Sequence, residues 1–216
     1  MENATVILTT TVNVQNKIYL FQTDKNERIQ VYLKKVRQWL ENTSFTILLV
    51  ENTGYTFPEL AEEAMKYKNR FEILSYVEAE LEEAKFLTNN PYKGASEIFS
   101  IQYAYHHTRL PITDFIIKIT GRFYIPDLQG YLKTTPEMYD VLVQNKKNRC
   151  EMVGCHKKHF EDVFNLTLLD ANGNYSGHVE DIYQLRCSRY PGVLHCPEFY
   201  IEPTQRGGIN EVFYNI

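Results

Sequence analysis

One apolar run that passes into polar residues constrains the fold more than any other part of the sequence. Residues 114–127 are DFIIKITGRFYIPD, and the run at 115–117 is aromatic and β-branched and too short for a buried helix. Such a segment is typical of a central strand that is covered on both faces. Lys118, Thr120 and Arg122 follow at a spacing of two, so an extended chain would point the three side chains the same way.

The two cations at the end of this strand predict an anion-binding site. In an open α/β sheet the ligand crevice lies beyond the carboxyl ends of the strands. Gly121, between the polar residues, allows close approach by another group or a bend. The alternative is an edge strand on which Lys118 and Arg122 are solvated, because buried cations without partners are rare.

The segments that precede this strand alternate between strand and helix patterns. Strands are predicted at residues 5–11, 45–50 and 71–76, and helices at residues 24–40 and 58–67. Asp24 and Glu27 fit an N-terminal cap with a capping box. This order predicts a parallel sheet with right-handed crossovers and a nucleotide-type crevice.

Two further segments carry polar residues where such a crevice would lie. Thr9, Thr10 and Thr11 end the first strand, a position that often contacts a nucleotide but is equally typical of an ordinary strand end. Lys93 and Gly94 come just before a helix predicted at residues 95–107. A lysine beside the free backbone amides of a helix N-terminus favours a phosphate contact.

The chain becomes less regular after residue 124. Helical apolar spacing continues over residues 131–149, strands are predicted at 151–155 and 164–169, and a turn is predicted at 170–174. A late helix opens in GHVEDIY, residues 177–183. The tail, rich in Pro and Gly and containing Arg206, predicts either a long loop that closes over a site or a simple surface tail.

Length and charge bound the class of protein. The 216 residues suit one domain, and the net charge of −4 argues against a general nucleic-acid coat while allowing a local cationic pocket. Neither a secretory signal nor an apolar run of transmembrane length is recognised, so a cytoplasmic location is predicted. In that location the four cysteines would be reduced.

The order of these features resembles a GT-A nucleotide-sugar glycosyltransferase. Three βα units come first, then Lys-Gly-x-x-Glu (Lys93, Gly94, Glu97), a strand ending in KITGRF, and His-x-Glu-Asp at a late helix. The chain is most similar to small glycosyltransferases of bacterial surface-polysaccharide loci and of large DNA viruses; a viral origin would place it in the host cytoplasm. The resemblance covers nearly the whole chain, and its most specific parts are residues 118–124 and 178–181.

The resemblance implies an α/β, GT-A-like fold with a Rossmann-like, mostly parallel central sheet flanked by helices and a less regular C-terminal half. One domain would span residues 1–216, with a nucleotide-binding half at 1–124 and an acceptor-side half at 125–216. The reaction would transfer a hexose or deoxyhexose from a nucleoside diphosphate sugar, with uridine or guanosine as the nucleoside, to a hydroxyl of a glycan or glycoprotein acceptor.

The resemblance also implies roles for individual residues. Strand ends would hold the nucleoside, with the diphosphate near the cations; the candidate donor-binding residues are Thr9, Thr10, Thr11, Glu51, Asn52, Lys93, Gly94, Lys118, Thr120, Gly121, Arg122 and Arg206. The late acidic pair would lie at the acceptor side. Asp181, or failing it Glu180, would act as general base for inverting transfer, and His178 would orient either carboxylate or touch the diphosphate. Both carboxylates also suit the plain role of stabilising a first helical turn.

The sequence departs from the family in one respect. Many GT-A enzymes carry Asp-x-Asp at the end of the fourth strand to hold Mn²⁺ or Mg²⁺, and no such triplet occurs in this chain. Lys118, Arg122, Lys93 or Arg206 would then neutralise the leaving diphosphate directly, without a metal site in the protein. Asp114, Asp127 or Glu78 would be the candidates for recruiting Mn²⁺ or Mg²⁺ if the strand alignment is shifted.

Two rival functions come from the same sequence. The first is a non-catalytic nucleotide- or glycan-binding module, because a fold does not determine a function. The second is a zinc-stabilised interaction domain, built from thiol and imidazole groups of the C-terminal half. Its candidate ligands are Cys150, Cys155, His156, His159, Cys187, His195 and Cys196.

Overall fold

The computed structural model describes residues 3–14, 20–87, 90, 93–136, 138–146, 149–168 and 178–216. Nine strands are assigned in these residues: β1 Thr5–Thr10, β2 Thr46–Glu51, β3 Phe71–Ser75, β4 Phe115–Thr120, β5 Val141–Gln144, β6 Met152–His156, β7 Val193–Cys196, β8 Tyr200–Gln205 and β9 Val212–Asn215. The helices are α1 Lys25–Asn42, α2 Ala61–Lys66, α3 Lys93–His107, α4 Leu128–Thr134, α5 Phe160–Val163 and α6 Val179–Cys187. None of the helices in the described ranges is long and apolar enough to cross a membrane.

Seven of the strands form one sheet in the order β3-β2-β1-β4-β6-β5-β7. All of these except β6 run in the same direction, because β6 pairs antiparallel with both β4 and β5. The strands β8 and β9 form a separate antiparallel hairpin. The mostly parallel α/β sheet predicted from the sequence is therefore confirmed, and it continues from the first half of the chain into the second.

Helices cover both faces of the sheet, which explains the apolar strands. Alternate residues of β1 enter different clusters: Val6 and Leu8 pack on the face with α1 and α4, and Ile7 packs on the face with α3 and α6. The hairpin contributes Phe213 to the first of these clusters. A sheet buried on both faces needs near-continuous apolar strands, as the sequence has them.

The first helix begins where its capping residue predicts. The carboxylate of Asp24 accepts a hydrogen bond from the amide of Glu27 at 2.8 Å, which satisfies one free donor of the first turn of α1. The second predicted helix is also present, as a 3₁₀ turn at Pro58–Leu60 followed by α2.

Predictions for the second half of the chain were less accurate. The helical spacing over residues 131–149 is wrong beyond Thr134, because Leu142 lies in β5 and Met138 is exposed. The predicted strand 164–169 is also wrong over its described part: Phe164 follows α5, and residues 165–168 have no regular structure. The predicted turn at 170–174 lies outside the described residues. The strand predicted at 151–155 is confirmed as β6.

Candidate active site

A solvent-open cleft lies at the carboxyl ends of β1, β2 and β4. The antiparallel strand β6 begins at the same edge, so Cys150 and Glu151, which precede it, also line the cleft. Nine of the predicted donor-binding residues line it: Thr9, Thr10, Thr11, Asn52, Lys93, Gly94, Thr120, Arg122 and Arg206. Residues that are far apart in the chain, such as Thr9 and Arg206, thus meet where parallel strands end.

Lys118 is buried beneath the cleft rather than exposed in it. Its ammonium lies 2.7 Å from the Glu97 carboxylate, and it donates to the Cys150 carbonyl at 2.6 Å and to the Thr120 hydroxyl at 3.3 Å. Burial disfavours the charged amine, but the acidic groups around it, Glu97 foremost, together raise the pKa of Lys118. The expectation that Lys118 reaches the ligand directly is wrong, because its three donors are already used within the protein.

Glu51 is likewise turned into the protein. Its buried carboxylate accepts hydrogen bonds from the amides of Val12, Thr53 and Tyr55 at 2.8–2.9 Å. Burial raises the pKa of Glu51 despite these bonds. Glu51 therefore joins the loops that follow β1 and β2 and does not line the cleft, whereas its neighbour Asn52 does.

Gly121 permits a close approach between neighbouring strands. Its amide donates to the Thr9 carbonyl at 2.9 Å, and a Cβ at this position would lie 2.6 Å from the Thr10 side chain. The next turn is held by a hydrogen bond of 2.9 Å from the Trp39 indole to the Phe123 carbonyl. Arg122 thus projects from a well-supported turn beyond β4, rather than from the strand itself.

Two helices begin at the cleft. Lys93 and Gly94 are the first two residues of α3, so the helix starts two residues earlier than predicted. Gly94 packs against Val179, the first residue of α6, and a Cβ on Gly94 would lie 2.8 Å from the Val179 Cβ. The free amides and positive dipole ends of two helices therefore converge on one edge of the cleft, which favours an anion there.

The cations at the cleft come from separate parts of the chain. Lys93 starts α3, Arg122 follows β4, and Arg206 follows β8. The Lys93 side chain is exposed overall, but desolvation of its ammonium at the cleft, together with the positive charge of Arg122, lowers the pKa of Lys93. The Arg122 Nε is buried and has no acceptor in the described part of the protein. These cations crowd one another, and an anion would relieve the repulsion.

The C-terminal hairpin completes this side of the cleft. Gly207 lies against the Arg122 guanidinium, and a Cβ on Gly207 would come within 2.8 Å of its Cζ. The Gly207 carbonyl accepts from the Phe21 amide at 2.8 Å. The Arg206 Nε is 4.0 Å from the Glu151 carboxylate. Of the two predictions for the tail, the loop over the site fits better than the simple surface tail. This loop is the connection between β8 and β9, and its residues Arg206, Gly207 and Gly208 line the cleft.

The late acidic segment has only one member on the cleft. Glu180, in the first turn of α6, lines the cleft, whereas Asp181 is exposed and does not. His178 precedes the helix and is also outside the lining. The prediction that Asp181, in preference to Glu180, faces the ligand is therefore wrong. Neighbouring residues on a helix point about 100° apart, so only one of the two side chains can face the cleft directly.

Sequence reasoning missed Arg28 and Glu151. Arg28 lines the cleft from α1 and donates to the carbonyls of Thr11 at 2.6 Å and Gln22 at 2.9 Å. Burial lowers the pKa of Arg28. No sequence motif marks either residue. They could have been found only from the general expectation that α1 and β6 begin near the crevice.

The zinc alternative has no geometric support in the described residues. All four cysteines are buried and unpaired with one another, and no group of three or more His, Cys, Asp or Glu side chains in the described ranges is placed to hold a metal ion. Burial raises the pKa of the Cys187 and Cys196 thiols to about 12. The cysteines therefore act as small core residues.

Comparison with known proteins identifies the fold through structure alone. No protein-family model and no curated protein matches the sequence. A proposed nucleotide-diphospho-sugar transferase from Desulfovibrio desulfuricans G20 aligns over 91% of this chain and 80% of its own, with a TM-score of 0.50 and 15% identity. The glycosyltransferase GlyE of Streptococcus pneumoniae TIGR4 aligns over 91% of this chain with a TM-score of 0.50 and 7% identity, and the alignment spans 45% of GlyE.

The chain has a GT-A-type glycosyltransferase fold. This confirms the fold that the sequence resemblance implied. At identities this low the likeness extends to the fold, and the function has to be inferred from the site.

Proposed function

We propose that this protein transfers a hexose or deoxyhexose from a nucleoside diphosphate sugar to a hydroxyl group of a glycan. The observation that carries the proposal is the meeting, in one cleft of a GT-A-type fold, of Glu180 with Lys93, Arg122 and Arg206. A cationic cleft at the carboxyl ends of parallel strands suits a diphosphate. A carboxylate beside it suits the base that sugar transfer requires.

The proposed reaction inverts the anomeric centre. The acceptor hydroxyl oxygen forms a bond to the anomeric carbon while the bond from that carbon to the diphosphate oxygen breaks. The hydroxyl proton passes to the Glu180 carboxylate, and the nucleoside diphosphate leaves with the bonding electron pair. The cations stabilise the charge that develops on the leaving oxygen.

Lys118 and Glu97 have a positioning role in this proposal. Glu97 lines the cleft with one oxygen paired to Lys118 and the other accepting from the Thr9 hydroxyl at 3.4 Å. The pair joins α3 to the ends of β1 and β4, and so holds Lys93, one turn before Glu97 on α3, at the cleft.

The test compares two neighbouring carboxylates. Purified protein is incubated with uridine and guanosine diphosphate sugars and candidate glycan acceptors, and release of nucleoside diphosphate is measured. Glu180→Gln is expected to lower kcat by about 100-fold or more, in the range of general-base catalysis. Asp181→Asn is the matched control and is expected to keep kcat within about twofold, because its side chain lies outside the cleft.

Three results would contradict the proposal. Equal losses in the two variants would remove Glu180 from the role of base. Tight binding of a nucleoside diphosphate sugar with no transfer to any acceptor and no hydrolysis would favour the non-catalytic binding module. Absence of binding to every nucleotide in the panel would refute donor recognition by this cleft.

A further inference from the structure

We propose that cationic side chains of this chain, and not a divalent metal ion held by its carboxylates, neutralise the diphosphate in the cleft. The inference rests on the proposed function, because it takes the ligand to be a nucleoside diphosphate sugar. The question is whether the residues at the cleft could hold the Mn²⁺ or Mg²⁺ ion that the GT-A resemblance implies.

The carboxylates that the structure describes at the cleft do not form a metal site. Mg²⁺ and Mn²⁺ prefer carboxylate oxygens. The Glu97 carboxylate is paired with Lys118 at 2.7 Å, and the Glu151 carboxylate is paired with Arg149 at 3.1 Å. Among the described residues that line the cleft, this leaves Glu180 as the one carboxylate with no ion pair, and the same lining carries four cationic side chains.

The other acidic candidates for a metal ligand lie elsewhere. Asp114 immediately precedes β4 and so lies at the end of the strand opposite the cleft. Asp127 precedes α4 and does not line the cleft. Glu78 accepts a hydrogen bond from the Asn52 side chain at 3.2 Å and is also outside the lining. A shifted strand alignment therefore does not supply the missing carboxylates.

The cations at the cleft, in contrast, outnumber the carboxylates. Once the Lys118–Glu97 and Arg149–Glu151 pairs are set aside, the lining carries Arg28, Lys93, Arg122 and Arg206 against Glu180, an excess of three positive charges. Arg28 donates to protein carbonyls and Arg206 lies 4.0 Å from Glu151, whereas Arg122 is incompletely used. The Arg122 Nε is a buried donor with no acceptor in the described structure. A buried donor without an acceptor is costly, so its place at a ligand cleft points to an acceptor on the ligand.

The geometry favours a diphosphate as that acceptor. Arg122 lies in the turn after β4, and its guanidinium lies against the backbone of Gly207 at the cleft. Two helix N-termini, at Lys93 and Val179, meet at the same edge. Planar arginine donors, a lysine and free helix amides together match several phosphate oxygens at once.

The experiment measures nucleotide affinity rather than activity. Isothermal titration calorimetry of chelator-treated protein with uridine and guanosine diphosphates is performed in EDTA and again in excess MnCl₂. The dissociation constant of the preferred diphosphate is expected to agree within about threefold between the two conditions. Arg122→Gln is expected to weaken binding by about tenfold or more in both, since hydrogen bonds to charged groups contribute that much.

Two further variants make the test specific. Lys157→Gln removes an exposed cation that follows β6, at the end of the sheet opposite the cleft, and should leave the affinity unchanged. Arg122→Lys retains the charge and should recover part of the lost affinity. A melting temperature close to that of the unchanged protein establishes that each variant is folded.

The possible failures are distinguishable. Binding that appears only with MnCl₂, or an affinity that is the same in Arg122→Gln and the unchanged protein, would overturn this inference and leave the proposed function standing. Failure of every nucleoside diphosphate to bind in either condition would overturn the proposed function and this inference with it.

Discussion

The buried pair of Lys118 and Glu97 gives the sharpest test of how the site is built. Lys118→Met keeps most of the side-chain volume but removes the ammonium, which has no exposure to solvent. The Glu97 carboxylate then loses its partner, as do the acceptors on Cys150 and Thr120. Breaking a buried ion pair by removing one partner costs about 3–5 kcal/mol.

The lower end of that range applies here. The Glu97 side chain is 19% exposed at the cleft, so water can solvate part of the carboxylate once Lys118 is gone. We therefore expect Lys118→Met to lower the free energy of unfolding by about 3 kcal/mol. For a chain of this size the melting temperature should fall by about 6–12 °C.

A double-mutant cycle isolates the interaction between the two charges. Unfolding in urea is measured for Lys118→Met, Glu97→Gln and the double variant. Each single variant leaves a buried group without its partner, whereas the double variant leaves neither charge. We expect a coupling energy of about 2 kcal/mol, within the range for residues in contact.

The control is the same chemical change at an exposed site. Lys157→Met should alter the free energy of unfolding by no more than about 0.5 kcal/mol. The reasoning is refuted if Lys118→Met is as mild as that control. It is also refuted if the effects of the Lys118 and Glu97 substitutions simply add.

Three other predictions test the parts around this centre. The Glu202 carboxylate, paired with Lys34 and with Lys35 at 2.7 Å, joins the hairpin to α1, and these lysines lower the pKa of Glu202 from 4.5 to about 2. Because the folded-state pKa of Glu202 is depressed, the stabilisation is complete above about pH 4.5 and is lost as pH falls towards 2. The Glu202 side chain is 41% exposed, so solvent screening reduces this stabilisation to about 1 kcal/mol. Thermal melts of Glu202→Gln and the unchanged protein should thus differ by about 2–4 °C at pH 7 and converge below pH 4.5, and a constant gap would count against the assignment. Gly207→Ala should displace the Arg122 guanidinium and weaken nucleotide binding several-fold in calorimetry. It should cost under about 1 kcal/mol of stability, because the atoms that clash with the new Cβ are at the far end of the Arg122 side chain. Gly130→Ala, where nothing lies near the new Cβ in α4, is the control and should bind nucleotide normally. Asp24→Ala should cost about 1 kcal/mol in urea unfolding through loss of the cap on α1, and no change would show that the bond to the Glu27 amide contributes little.

Local patterns were sufficient for the first half of the fold. The run at 115–117 and its earlier counterparts are short, β-branched and continuous, and no other element buries such segments on both faces. Asp24 specified the start of α1 through one local hydrogen bond. These features depend on neighbouring residues in the sequence, which is why β1 to β3 were predicted within about a residue at each end and β4 at its start.

Local sequence patterns did not predict the structure correctly where a short segment fits both a helix and a strand. Leu132 and Leu142 have helical spacing, yet one lies in α4 and the other in β5, because pairing with β6 and β7 decides the structure there. A four-residue strand carries too little periodicity to outweigh a chance helical match. The Pro- and Gly-rich tail was predicted as a loop or a surface tail, yet β8 and β9 pair there and contribute Phe213 to the core.

The sequence by itself determined the α/β class, the central strand that begins at Phe115, and nine of the polar or glycine residues that line the cleft, because polar residues at the ends of parallel strands must meet at one edge of the sheet. Tertiary structure alone decided what each polar group does there. Lys118 pairs with Glu97 inside the protein, Arg122 lies against Gly207, and Glu180 rather than Asp181 lines the cleft. The physical reason is that a charge is used according to its burial and its nearest opposite charge, and both depend on elements far apart in the chain.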